Sequence, residues 1–146
     1  SRRYVHSLEM VIPPVDTAVR TTRVLARRAR VLADDHDSAT PAQIELLDSL
    51  SQVCLELSEV YDVNSRVAQA TVIPQCVNEL RAAGQKAGMD LIPENGVLSA
   101  YAILAQTRSL IVDLLMVCGM SHESALAALA PTSETPSVEP ETFDLD

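Results

Sequence analysis

Residues 97–130 read VLSAYAILAQTRSLIVDLLMVCGMSHESALAALA: a long apolar helical pattern, a glycine stop and a second, short helix. At 100° per residue, Val97, Tyr101, Leu104, Ile111, Leu115 and Cys118 fall on one face, while Ser99, Gln106 and Asp113 form a polar strip. Arg108 lands inside the apolar face. The length of the pattern suggests a membrane span, but Gln106, Arg108 and Asp113 interrupt it. Burying such groups in lipid is costly enough to predict the central helix of a soluble bundle instead.

Composition agrees with that reading. The chain has 146 residues, 47% of them apolar, with no Trp, one Phe and four Gly. An Ala- and Leu-rich core with few β-branched runs favours helices, and this length can bury a core without disulfides or metal. The predicted fold is all-α, an antiparallel bundle of four main helices plus a short C-terminal helix, spanning 15–130.

Outward from the central helix, turn chemistry places the other elements. Pro13 and Pro14 predict a non-helical lead over 1–14, with Asp16 as the N-cap of a first helix ending near Ala33. Val15, Ala18, Thr22, Leu25, Ala29 and Leu32 share its apolar face, with Val24 and Val31 on a flank that suggests two neighbours. Thr40-Pro41-Ala42-Gln43 is a capping-box start for a helix to Tyr61. Its stripe is read as Ile44, Leu47, Leu50 or Ser51, Cys54, Leu57 or Ser58, and Tyr61.

Residues 62–65 connect to a third helix over 66–87, capped by Ser65. Val67, Ala70, Val77, Leu80 and Ala83 or Ala87 keep helical spacing across Pro74, which predicts a kink and not a break. Gly84 and Gly88 weaken its end, and a loop closed by Pro93-Glu94-Asn95-Gly96 leads into the central helix. Gly119 supplies a left-handed stop, and Ser121 caps the last helix. Residues 131–146 hold three prolines, five carboxylates and no basic residue, a composition that predicts a disordered acidic tail.

Charge is unevenly spread. Eleven basic against 20 acidic residues give −9, which argues against broad binding to nucleic acid. Residues 1–30 nevertheless carry seven arginines against Glu9 and Asp16, a local +5 that leaves −14 for the remainder. Arg20, Arg23, Arg27 and Arg30 form the basic face of the first helix, suited either to a hydrated surface or to an anionic membrane. Cys54, Cys76 and Cys118 lie in apolar patterns and read as reduced core thiols. The N-terminus lacks the apolar region of a signal peptide, and a start without Met suggests an excerpt from a longer protein.

No arrangement of residues announces a reaction. There is no G-x-S-x-G elbow and no phosphate-binding glycine loop, so a non-enzymatic role without cofactor is expected. The run Asp34-Asp35-His36-Asp37 offers ligand types, but consecutive loop residues diverge, and a hydrated loop is expected in place of a metal site. His6 and His122 have no partner at ligand spacing, and His122 should be exposed. Arg108 is the residue that demands an account. A buried guanidinium needs a carboxylate or several carbonyls, and Glu56, Glu59 or Asp62 on the second helix are the expected carboxylates. Alternatively the head reaches water, or holds a small organic anion.

RTTRVLARRARVLADD at 20–35 together with AILAQTRSLIVDLLMVCGMSHESALAAL at 102–129 resembles the soluble C-terminal part of actinobacterial membrane proteins of the fusaric acid resistance (FUSC) or aromatic acid exporter family. The resemblance implies a cytoplasmic domain attached to transmembrane helices outside this chain. Arg2, Arg3 and the arginine face would then lie nearest the anionic leaflet. Its partners would be its own transmembrane region, other protein helices or a second copy. The family's proposed export of organic acids would belong to the whole protein. Two further readings remain at this point: a stand-alone helical adaptor, and a sensor for a small organic anion.

Overall fold

The computed structural model describes residues 2–63 and 65–142, except the side chains of 3–8. Expectations that fall on the Arg3 and His6 side chains, on Asn64 and on residues 143–146 lie outside the described residues. Among those described there are five α-helices and no strand: α1 (Arg2–Asp34), α2 (Pro41–Val63), α3 (Arg66–Lys86), α4 (Leu98–Val117) and α5 (His122–Ala127), with a single 3-10 turn at Met89–Leu91. The all-α bundle is therefore as expected.

The elements arrange as two pairs joined through α4. α1 packs along α4, and α2 packs along α3, while α4 also touches α5, α3 and α2. Direction follows from bonds at both ends of α2. Gln43 Nε2 donates to the Ala100 carbonyl at 3.3 Å, and the Tyr61 hydroxyl donates to the Val117 carbonyl at 3.1 Å, so α2 and α4 run the same way. Between them the core is aliphatic. Leu80, Ile111, Leu115 and Cys76 are fully buried, with Leu50 and Val53 nearly so. α4 has the length and the mean hydropathy, 1.4, of a membrane span, yet 61% of that stretch is buried inside the bundle.

Most boundaries obey the turn chemistry. The Thr40 hydroxyl accepts from the Gln43 amide and Gln43 Oε1 accepts from the Thr40 amide, both at 3.2 Å, which completes the capping box. Ser65 and Ser121 accept from the amides three residues on, at 3.2 and 3.1 Å. At Gly119, φ is 101°, and its amide donates to Met116 while that of Met120 donates to Leu115. Together these make a Schellman stop with glycine where a side chain would be strained. α1 ends the same way, with His36 at φ 59° in the left-handed position and Asp37 donating to Leu32. α3 continues across Pro74 as one element.

The start of α1 departs from expectation. Helix runs from Arg2 through both prolines, so 2–14 is helical where the sequence predicts an irregular lead over 1–14, and Asp16 is no N-cap but pairs with Arg20 at 2.8 Å within the helix. Pro13 and Pro14 leave the carbonyls of Glu9 and Met10 without helical donors. Both of those residues are exposed, where water can serve the carbonyls. Packing compensates from the other side, since Pro14 and Ala18 are buried and Val11 rests against the core.

Several faces are also rotated from those read in the sequence. α1 buries Pro14, Ala18, Thr21 and Leu32, whereas Val15, Thr22 and Ala29 are exposed. α2 buries Gln43, Leu46, Leu50, Val53, Leu57 and Val60, leaving Ile44 and Cys54 outside. On α3, Cys76, Leu80 and Ala83 are buried and Val67 is exposed. The reason lies in the number of neighbours. α4 is enclosed nearly all round in its second half, so the helices around it each present one narrow stripe, and propensity alone does not say which. Asp113 is carried inward with α4, not left on a polar strip. The C-terminal segment has no regular structure up to Thr142, yet it is tied back. Arg81 holds Glu141 by paired 2.8 Å bonds, and the Glu141 amide donates to Ala127 at 2.8 Å.

Candidate functional site

Arg108 sits on α4 where the C-terminal ends of α3 and α5 meet. Its Nη1 donates to the Ala87 carbonyl at 2.6 Å and to the Ala130 carbonyl at 2.7 Å. Ala87 caps α3, and Ala130 lies just beyond α5, so the guanidinium binds carbonyls at helix C-terminal ends. Both ends carry partial negative charge, which a cation complements. None of the expected carboxylates reaches it. Glu56 is turned toward α3, where the Cys76 thiol donates to its Oε2 at 3.5 Å, and Glu59 and Asp62 are exposed on α2. Of the two ways a half-buried arginine can be satisfied, carbonyls prevail over a carboxylate pair, because Arg108 lies on the α3 and α5 side of α4.

The same junction explains Gly84. A Cβ there would lie 2.6 Å from the Ala128 carbonyl oxygen, so α5 can cross α3 closely only at a glycine. The approach is fastened by the Ala130 amide donating to Gly84 at 3.0 Å and by Gln85 Nε2 donating to Ala128 at 2.9 Å. In sequence, Gly84 signals only a weak helix end. Missing from that signal is the partner, which lies more than forty residues away.

Beside the junction a cavity of about 600 Å³ opens between α4 and α5. Leu104, Val112 and Leu126 give it apolar walls, and Arg108, Asp113 and His122 bring charge or titratable groups to it. Among the described residues, Arg108 Nε and Nη2 have no protein acceptor. Asp113 accepts from the Thr21 hydroxyl at 2.8 Å. Burial raises its carboxyl above the ordinary range, while the Thr21 hydrogen bond and the nearby His122 pull the other way. His122 itself is exposed.

A second concavity is different in kind. α1 and α2 barely touch, and between them, over α4, runs a groove of about 510 Å³. Val11, Val15 and Val19 line one wall, Cys54, Leu57 and Tyr61 the other, and Leu110 and Leu114 the floor. Val15, Ala18, Thr22, Cys54, Leu57 and Tyr61 belong to the stripes that the sequence pattern assigned to buried faces. The groove is thus an interhelical seam that the described residues leave uncovered. Cys54 is correspondingly exposed and not a core thiol, whereas Cys76 is buried and Cys118 partly so. Burial pushes both of those thiols up to about 12, with the Cys76 bond to Glu56 acting in the same sense.

The basic face lies on the outside. Arg20, Arg23, Arg27 and Arg30 are all exposed, and Arg23 borders the groove. Among the described residues, no group of three or more metal-ligating side chains converges, including Asp34 to Asp37.

The chain is similar along nearly its whole length to an uncharacterized protein of Corynebacterium glutamicum, 48% identical over 143 residues. That match covers 98% of this chain and 36% of the relative, so the chain spans about a third of the length of the curated relative it matches. No family model matches it. No solved structure matches it either.

Proposed function

We propose that this chain is a non-enzymatic helical domain of a longer, transporter-like membrane protein, facing the cytoplasm and acting in assembly or partner contact. The observation that carries the reading is the groove between α1 and α2. It is an apolar seam with the residue spacing of a helix-packing face and, among the described residues, no helix upon it. The relative that extends well beyond the shared segment supports a domain working among other parts of a protein. The exposed arginine face of α1 suits an anionic surface beside that groove.

Hydrogen exchange tests the contact. In the longer protein, amides of α1 and α2 around Val15 and Cys54 should exchange more slowly than in the isolated chain, and identical rates would remove the contact reading. For the arginine face, flotation with vesicles containing phosphatidylserine should carry the isolated chain. Loss of flotation on Arg20→Glu and Arg27→Glu together is the expected control.

A second reading is favoured by one specific observation, the Arg108 Nε and Nη2 hydrogens left without an acceptor among the described residues, beside a cavity of about 600 Å³. Under it, the domain binds a small organic anion whose carboxylate meets those hydrogens and whose apolar body lies on Leu104, Val112 and Leu126. Titration with benzoate should shift the Arg108 Nε–H resonance. No movement at millimolar ligand would exclude this reading.

A further inference from the structure

We propose that the groove between α1 and α2 is covered by α1 of a second copy of this chain, in a two-fold symmetric dimer. The proposal rests on reading the groove as a contact surface. Its first argument is shape. The groove's lining runs from Val11 to Arg23 along α1, about three helical turns, and α1 itself carries Val11, Val15 and Val19 in a row at i, i+4 and i+8, with Val15 and Val19 40% and 45% exposed. The same row can therefore act as wall in one copy and as occupant in the other. A patch that serves in both roles suits an isologous pair, in which each copy fills the other's groove and the assembly closes.

Charge supplies the second argument. α2 holds Glu45, Asp48, Glu56, Glu59 and Asp62 and no basic residue. α1 presents Arg20, Arg23 and Arg27 to solvent, and among the described residues only Arg20 of these three has an ion-pair partner. With the two α1 helices antiparallel and centred near Val15, Arg20 and Arg23 of one copy come alongside the far end of α2 in the other. Glu59 and Asp62 are exposed there. An acidic helix entering the same groove would meet the carboxylates of α2, so the occupant should be apolar on one face and basic on its flank, as α1 is.

Sedimentation equilibrium of the 146-residue chain at physiological salt tests this. A reversible monomer–dimer equilibrium is expected, weakening as salt rises. Val15→Glu should weaken it roughly tenfold or more, because the dimer would bury an unpaired carboxylate, while far-UV circular dichroism stays that of the folded chain. Glu59→Arg with Asp62→Arg should also weaken association. Adding Arg20→Glu and Arg23→Glu to that variant should restore it, a rescue that requires the two sets to face each other across copies. A chain that is monomeric at every concentration overturns the proposal, as does a dimer indifferent to Val15→Glu or a charge reversal that is not rescued. A monomer whose α1 and α2 amides are nonetheless protected in the longer protein removes the second copy and leaves the contact reading standing. Absence of both effects removes both.

Discussion

The Arg108 junction and the α1–α2 groove lie on the same central helix and are finished to different degrees. At the junction, the ends of α3 and α5 converge, and their carbonyls are met by a guanidinium, an amide side chain and a backbone amide. In the groove, valines and a tyrosine ring line a seam with nothing packed upon it among the described residues. Polar groups withdrawn from water must find partners within the fold, or the fold pays several kcal/mol. Apolar groups left in water cost less per residue, and an interface can be left open until something arrives. The contrast separates what holds this bundle together from what it can offer to a partner.

Substitutions can break that contrast from the junction side first. Gly84→Val should have the largest effect, lowering stability by about 3 kcal/mol in urea unfolding, because its Cβ collides with the Ala128 backbone and α5 must move away. Arg108→Met keeps the packing of the stem and removes two charge-assisted bonds, for a loss of about 2 kcal/mol. An unchanged melting temperature in that variant would show that the carbonyls are equally well served by water.

Asp113→Asn should act in the opposite direction and more weakly. Burial raises the Asp113 carboxyl, so the folded chain holds that proton more tightly than the unfolded one, whose value is about 3.9. Stability from this group is therefore greatest below the unfolded value and declines as pH rises through the raised folded value. Asparagine keeps an acceptor for Thr21 without the buried charge. The variant should melt higher than the parent at neutral pH, and the difference should vanish on acidification below the unfolded value. Smallest of all, Val15→Ser in the groove should change the monomer's stability by no more than about 0.5 kcal/mol, since its side chain is already partly in water. A loss comparable to that of Arg108→Met would mean that the seam is internal to the fold after all.

Local chemistry in the sequence was legible where the determinants lie within one turn. The Thr40 capping box, the Ser65 and Ser121 caps and the Gly119 stop all depend on residues three to five apart, and each is found in place. The helical path through Pro13 and Pro14 was not legible, because it is held by α4, nearly a hundred residues away. The same holds for Gly84, whose neighbour is Ala128, and for Thr21, whose partner is Asp113. Arg108 was recognisable as a problem, since a cation in an apolar stripe needs an answer. Its answer was hidden because backbone carbonyls leave no mark in a sequence. The stripes on α1 and α2 were instructive in their mismatch: several residues patterned for burial are the ones that line the open groove.

The prolines at 131, 136 and 140 first argued for a chain with no settled path. Arg81 and Ala127 nevertheless fasten this stretch at Glu141, closing a ring over the ends of α3 and α5. Ring closure is opposed by the freedom that the open chain must surrender, and a proline-rich chain has less of it to surrender. Rigidity that keeps such a segment from folding by itself thus lets two anchors at Glu141 suffice to hold it.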